Sequence, residues 1–493
     1  MTNEENPENK DVSEIPTEDS SDQLAEWTIM IYMAGDNNLS DDCVNALKAV
    51  QGIKTGDYVH VIAQFDPADT RVGSQRVVMN LRDKTNPAAT AMAVPASPSK
   101  LSKDYVKIEE GTIKFGMSAR QQEELDPSET DTADPKTLFD FVSWCADRFK
   151  ARRYMLVLAG HAGGIEEGYL LKDENPVHSM SLNGLMQVLR RVKDGLNIRL
   201  DILGMDSCLM SMIEICHELS SLGDLVDVYV SSQSMTPNPG WPYGQIVEAL
   251  KARQGDIEAE EFASIIVNKY VNSYVENAVC SGLSTDQAAV KIAETPRVVE
   301  SMRTLGQVLT NKLGNGSGDD FNRALIHAHW EAQSYNGERF VDLKDFCDLA
   351  EQFCRDADVA REVETVRTAM RRMVLASCFC GIDYQYSYGL SIYFPWSTIF
   401  SYYGNLDFAK ETGADWIGFL EDYVEKTRRS PRGGDGAGPH HNYLVPRKVP
   451  PYDHGPTLPA ASMRNPPRKW STNGISDCIE DKQEWFQVFE SFQ

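Results

Sequence analysis

No stretch of roughly 18 consecutive apolar residues occurs anywhere in the 493-residue chain, and its first residues, MTNEENPENKDVSEIPTEDSSDQLAE, lack the apolar core of a secretory leader. The sequence therefore predicts no membrane-spanning helix and no export signal, and a cytoplasmic location. Cysteine is scarce, ten residues with no CxxC pair, which argues against a disulfide framework or a zinc ribbon and for reduced thiols. Positive charge is also in deficit, with 48 Lys plus Arg against 73 Asp plus Glu and a formal net charge of −25. Such a surface repels phosphate backbones and anionic lipid, so neither nucleic acid nor a membrane is an expected partner. No G-x-x-x-x-G-K-[ST] loop is present, which disfavours nucleotide hydrolysis. What remains, 42% hydrophobic and 25% charged, is the balance of a globular protein too long for one ordinary core.

Residues 1–26 carry nine acidic side chains and one lysine and are read as a disordered tail. Residues 426–469 reverse the sign, with nine basic and two acidic residues among many Pro and Gly, and read as a basic extended linker. The aromatics of 470–493 suit a short amphipathic segment. Between the tails, β-branched apolar runs alternate with helical patterns, the signature of a mainly parallel α/β sheet flanked by helices. Strands are expected at 27–34, 58–65, 76–81, 155–159, 200–205, 226–231 and 389–394. Helices are expected at 135–149, 182–193, 258–276, 321–333, 343–353 and 359–375. The domain reading is an α/β core over 27–255, with a surface insertion at 84–134, and a more helical part over 256–425 that completes the fold.

In open α/β sheets, reactive groups gather beyond the carboxyl ends of the strands. His161 ends one such strand, in YMLVLAGHAGG, and Cys208 ends another, in RLDILGMDSCLMSMIEICHEL. They lie 47 residues apart, with one helix pattern between them. If the two strands are neighbours, thiol and imidazole share one rim at about 5–10 Å. Cys208 precedes an apolar-periodic helix starting near Leu209, whose dipole is expected to lower the thiol pKa. Backbone amides at Gly160, Ala162 and Gly163 are suited to an oxyanion. Singly, a strand-end Cys is usually a small core residue and a strand-end His is often only hydrogen-bonded. Order, spacing and flanking glycines together favour acyl transfer. A thiol phosphatase would need Arg six residues after its cysteine, where Glu214 stands. Asp36, Asn37 and Asn38 follow the first strand, where capping of the next helix is favoured over shaping the site. His327 and His329 diverge on their helix, and Cys378 and Cys380 are expected to pack.

WTIMIYMAGDNNL (27–39), ADPKTLFDFVSW (133–144), the His161 turn, MDSCLMSMIE (205–214), SSQSMTPNPGWPY (231–243) and GLSIYFP (389–395) together resemble the clostripain family of cysteine peptidases. The resemblance covers about 27–425 and implies a caspase-like fold. It further implies Cys208 as nucleophile, His161 as general base, and cleavage of protein or peptide substrates after Arg or Lys. Asp206 matches the family's aspartate facing the side chain on the acyl side of the cut bond; Ser231, Ser232, Trp241 and Tyr243 would line the substrate channel. A desolvated carboxylate at the base of a narrow pocket selects a cation, although Asp206 also suits helix capping. Two positions depart from the family pattern: Ala162 where glycine is usual after the histidine, and Gln233 where an acidic residue is frequent. Relatives are often cut in the loop after the histidine, where this chain offers Lys172. Some use calcium, but no calcium-loop spacing appears, so no metal site is assigned and no cofactor is required. A monomer is expected. The competing expectation is a catalytically silent caspase-like module binding a protein partner.

Overall fold

A computed structural model describes residues 24–51, 53–68, 74–78, 92–95, 130–166, 168–174, 177–276, 283–314, 318–336 and 339–428. The expected insertion and both expected tails lie almost entirely outside these residues. The apolar run at 27–34 becomes β1 (Ala25–Gly35), buried along nearly its whole length. Trp27, Ile29, Ile31 and Met33 face one apolar layer, and Met30, Tyr32 and Ala34 face the other. A strand alternates in this way when both faces of a sheet are covered.

After helix α1 (Ser40–Val50) come β2 (Val59–Pro67), β3 (Gln75–Val78) and β4 (Met92–Pro95). Helix α2 (Pro135–Arg148) then leads into β5 (Ala151–Ala159), the hairpin β6 (Leu170–Glu174) and β7 (Val177–Met180), and α3 (Leu182–Gly195). Next are β8 (Leu200–Asp206), α4 (Ile213–Ser220), β9 (Val226–Ser231), α5 (Tyr243–Ala252), α6 (Ala259–Glu276), β10 (Thr285–Lys291), α7 (Thr295–Gly314) and α8 (Gly318–Glu331). The remainder comprises β11 (Ser334–Tyr335), β12 (Phe340–Asp342), α9 (Leu343–Cys354), α10 (Ala357–Met373), β13 (Val374–Cys380), β14 (Ser391–Tyr393) and α11 (Asp407–Arg428).

The main sheet runs β13-β10-β9-β8-β5-β1-β2-β3-β4. Its five central strands, β9 to β2, are parallel, and its edges are antiparallel. Helices α1, α5 and α6 contribute to one apolar layer, and α2 to α4 with α7 to α11 contribute to the other. Asp134 starts α2 by accepting from the Lys136 amide, with Pro135 in the first turn, and Ser181 caps α3 through the Gly184 amide.

Several elements differ from expectation. The 389–394 run forms β14 in a separate three-stranded sheet with β11 and β12, not in the main sheet. Strands β10 and β13 were not anticipated, the expected helix at 359–375 ending instead at Met373. Thr285, Asp286 and Gln287 open β10 fully buried, and a buried polar strand shows no apolar alternation. Helix α7 was also missed, although Val298, Met302, Leu305, Leu309 and Leu313 carry its buried stripe. Cys378, expected to pack as a thiol, is disulfide-bonded, whereas seven other described cysteines are free. A disulfide takes up two thiols, so the reduced-thiol reading does not hold for the whole set.

Glu214 ties α4 to the 389–403 region. Its Oε1 accepts from the Tyr393 amide at 2.8 Å and the Tyr403 hydroxyl at 3.0 Å, while Oε2 is buried without a partner among the described residues. Burial pushes this carboxyl up to about 7, against the pull of those donors. The folded chain thus holds the proton more tightly than an unfolded glutamic acid, whose ordinary value is 4.5. The stability contributed is complete below that value and is lost as pH rises through about 7. Glu214→Gln mimics the protonated form. In thermal melts, the advantage of the unmutated protein over this variant should shrink between about pH 5 and pH 8; a constant gap would contradict a buried acid.

Candidate functional site

β5 and β8 are direct neighbours, paired in parallel with Met155 opposite Ile202 and Ala159 opposite Asp206. The Gly160 amide extends the ladder by donating to the Asp206 carbonyl at 3.2 Å. His161 and Cys208 each stand two residues beyond the matched pair Ala159 and Asp206, so the register brings them to one rim at the same level. The intervening chain, the β6–β7 hairpin and α3, provides the crossover between the two strands.

His161 is half-buried, and its carbonyl accepts from the Leu171 amide at 2.9 Å. Its Nε2 lies 2.8 Å from Asn38 Oδ1. Burial depresses the imidazole pKa, the Lys172 ammonium adds to that, and Glu174 opposes it. Gly160 sits at φ +150, and a side chain there would press on Ala34. Because its amide serves the sheet, the oxyanion role expected for Gly160 does not fit. The Ala162 and Gly163 amides make no hydrogen bond to protein among the described residues. Ala162 is buried and has no positive φ, so alanine in the usual glycine position introduces no backbone strain.

Cys208 lies in a turn continued by Leu209 at φ +64. The Leu209 amide donates to Ser234 O, and the Ser211 amide to Ser232 O, both at 2.9 Å. These bonds lay 207–212 beside 232–236, and α4 begins only at Ile213. The thiol is therefore not at a helix N-terminus, and the expected lowering of its pKa does not occur. Burial raises it instead; the Thr236 amide, donating to Sγ at 3.3 Å, opposes this, and Asp206 reinforces it.

Asp206 is buried beneath the rim. Its Oδ2 accepts from the Trp241 amide at 3.0 Å and the Tyr243 hydroxyl at 2.9 Å; Oδ1 is buried with no partner among the described residues. Burial pushes the carboxyl up to about 6, against those two donors. Gly240 at φ +63 crosses over it, and a Cβ there would stand 2.7 Å from Oδ2. The Trp241 ring in turn occupies the space left by the missing side chain of Gly204. Trp241 and Tyr243 hold the carboxylate and are themselves buried.

Ser231 and Ser232, expected along a channel, are fully buried. Ser232 Oγ donates to Asp286 Oδ1 at 3.1 Å, and Asp286 also accepts the Gln233 and Ser234 amides. Gln233 bridges Asp342 Oδ2 and the Gly389 amide, so these residues brace the segment from within. Lys172, expected in a polar loop, lies in β6; its ammonium is 3.4 Å from Glu174, and its carbonyl accepts from Asn37 Nδ2. Among the described residues no group of three or more His, Cys, Asp and Glu is placed to hold a metal ion. No helix among them is long and apolar enough to cross a membrane.

Sequence reasoning gave too little weight to three contributors: Asn38, Thr236 and Gly240. Asn38 looked like a capping residue, and Thr236 acts through its backbone, which leaves no mark in a sequence. Gly240 was legible, because the glycine of Asn-Pro-Gly readily takes positive φ.

Clostripain from Hathewaya histolytica is 23% identical over 260 residues, a match spanning 50% of this chain and 46% of that protein. The chain thus spans about half the length of this relative. A secreted C11 cysteine protease from Bacteroides thetaiotaomicron, in complex with an irreversible peptide inhibitor, superposes with a TM-score of 0.56 at 15% identity, over 79% of this chain and 99% of that one. An inactive zymogen C11 protease from Parabacteroides distasonis gives 0.53 at 17% identity, over 80% and 99%. These similarities carry the caspase-like fold. The clostripain family model matches residues 31–423, and the chain belongs to the clostripain family of cysteine peptidases.

Proposed function

We propose that this chain is a cysteine endopeptidase cutting after Arg or Lys, with Cys208 as nucleophile, His161 as general base and Asp206 as the acceptor of the substrate cation. The observation that supports the reading is the pairing of Ala159 with Asp206, which sets His161 and Cys208 each two residues beyond one matched pair, next to the buried Asp206 carboxylate. Burial raises the Cys208 pKa and lowers that of His161, so the resting pair is thiol and neutral imidazole. His161 then takes the Sγ proton as the sulfur attacks the scissile carbonyl carbon. The Ala162, Gly163 and Cys208 amides stabilise the oxyanion. As the C–N bond breaks, the imidazolium returns its proton to the leaving amine and a thioester remains. Water, deprotonated by His161, hydrolyses the thioester and restores the thiol.

Iodoacetamide and an arginyl chloromethyl ketone should label Cys208 selectively, and Cys208→Ala should lower kcat by several orders of magnitude with unchanged melting. An inert Cys208 would instead support a binding module without activity.

The unpartnered Asp206 Oδ1 suits an ammonium or guanidinium. Since this carboxyl sits at about 6, it is ionised above that pH and neutral below it. Preference for Lys over an uncharged isostere, read as a ratio of kcat/KM, should therefore grow as pH rises through about 6 and vanish in Asp206→Asn. Loss of the contact is expected to cost about 2–4 kcal/mol. Equal turnover of both substrates by the unmutated protein would refute the pocket assignment.

Maturation by a cut after Lys172 belongs to the same proposal. Because Lys172 is held in β6, the hairpin must open before its peptide bond can be attacked. Intact mass should show two pieces for the unmutated protein and one for Cys208→Ala; a full-length, active protein would remove this step.

A further inference from the structure

We infer that Asn38 is a positioning residue that fixes the tautomer and the orientation of His161. The inference rests on the proposed base role of His161. Asn38 Oδ1 lies 2.8 Å from His161 Nε2, so Nε2–H donates to the carboxamide oxygen. That assigns the single ring proton to Nε2 and leaves the Nδ1 lone pair to take the thiol proton. Nδ1 has no protein partner among the described residues.

Among the described residues the Asn38 side chain makes no other hydrogen bond. Helix α1 starts after Leu39 with no side-chain cap, and the local turn is closed by its neighbour, Asn37, whose Oδ1 accepts from the Leu39 amide at 2.9 Å. The loop that carries Asn38 is nevertheless pinned at its neighbours. Asn37 Nδ2 donates to Ala34 O at 3.0 Å and to Lys172 O at 2.9 Å. The Glu174 amide donates to Asp36 O at 3.0 Å, and the Leu171 amide to His161 O at 2.9 Å. One strand, β6, thus anchors both the loop that carries Asn38 and the turn that carries His161.

The choice of amide over acid also has a consequence. A carboxylate at this distance would favour the imidazolium, whereas burial and Lys172 favour the neutral ring. Asparagine orients the ring without reversing that balance, so the base stays unprotonated near neutral pH.

The test uses the full chain with Asn38→Ala and Asn38→Asp. Asn38→Ala should lower kcat by roughly 10–100-fold, part of what acid–base catalysis supplies, with KM and melting temperature little changed. Asn38→Asp keeps an acceptor and should retain most of the activity. Its acid limb of kcat/KM, which reports His161 losing its proton, should move up by about one unit. Independently of turnover, 15N resonances of His161 should report the Nε2–H tautomer in the unmutated protein and a mixture in Asn38→Ala. An Nδ1–H tautomer, or an Asn38→Ala protein with unaltered kcat and pH profile, would overturn the inference. An unmutated protein that cleaves nothing yet shows the Nε2–H tautomer would contradict the peptidase reading and uphold the placement of the ring by Asn38.

Discussion

The hydrogen-bond register between β5 and β8 is the constraint on which the site depends. Strand side chains alternate with period two, so a slip of one residue would turn either segment's side chains to the opposite face. Pairing of Ala159 with Asp206, prolonged by the Gly160 amide on the Asp206 carbonyl, prevents such a slip. Asp206 has two separate parts in this arrangement. Its backbone joins the two strand ends, and its side chain lies among Trp241, Tyr243 and Gly240.

Buried carboxylates recur around this frame, and each is met by backbone amides. Asp286 gathers the amides of Gln233 and Ser234 with the hydroxyl of Ser232. Asp342 caps α9 through the Asp345 amide and also accepts from the Tyr388 amide and from Gln233 Nε2. Buried acids are costly without donors, so each of these defines where a loop must run. Gln233 illustrates the point: an acid in its place would face Asp342, whereas an amide donates to Asp342 and accepts from Gly389.

What could be read from the sequence followed the physics of each segment. The strands of the parallel centre are apolar on both faces and were visible as runs; β10, polar and buried, was not. His161, Cys208 and Asp206 stood out as candidates because strand ends in an α/β sheet are few and their side chains chemically distinctive. The electrostatics at Cys208 were misread, since only the fold reveals that α4 starts at Ile213. Ser231 and Ser232 were placed on a channel by resemblance, and the structure turns them inward to Asp286 and the core. The expectation of a fully reduced cysteine set fails at Cys378, whose bond leaves no mark in the spacing of the cysteines.

Trp241 fills the gap left by Gly204 in the middle of β8, and this limits how the 235–242 segment can move. An aromatic side chain of this kind buries about 150–250 Å², so extracting the indole would cost on the order of 4–6 kcal/mol at about 25 cal/mol per Å². Thermal motion seldom supplies that. Any breathing of the segment is thereby confined to the stretch before the indole.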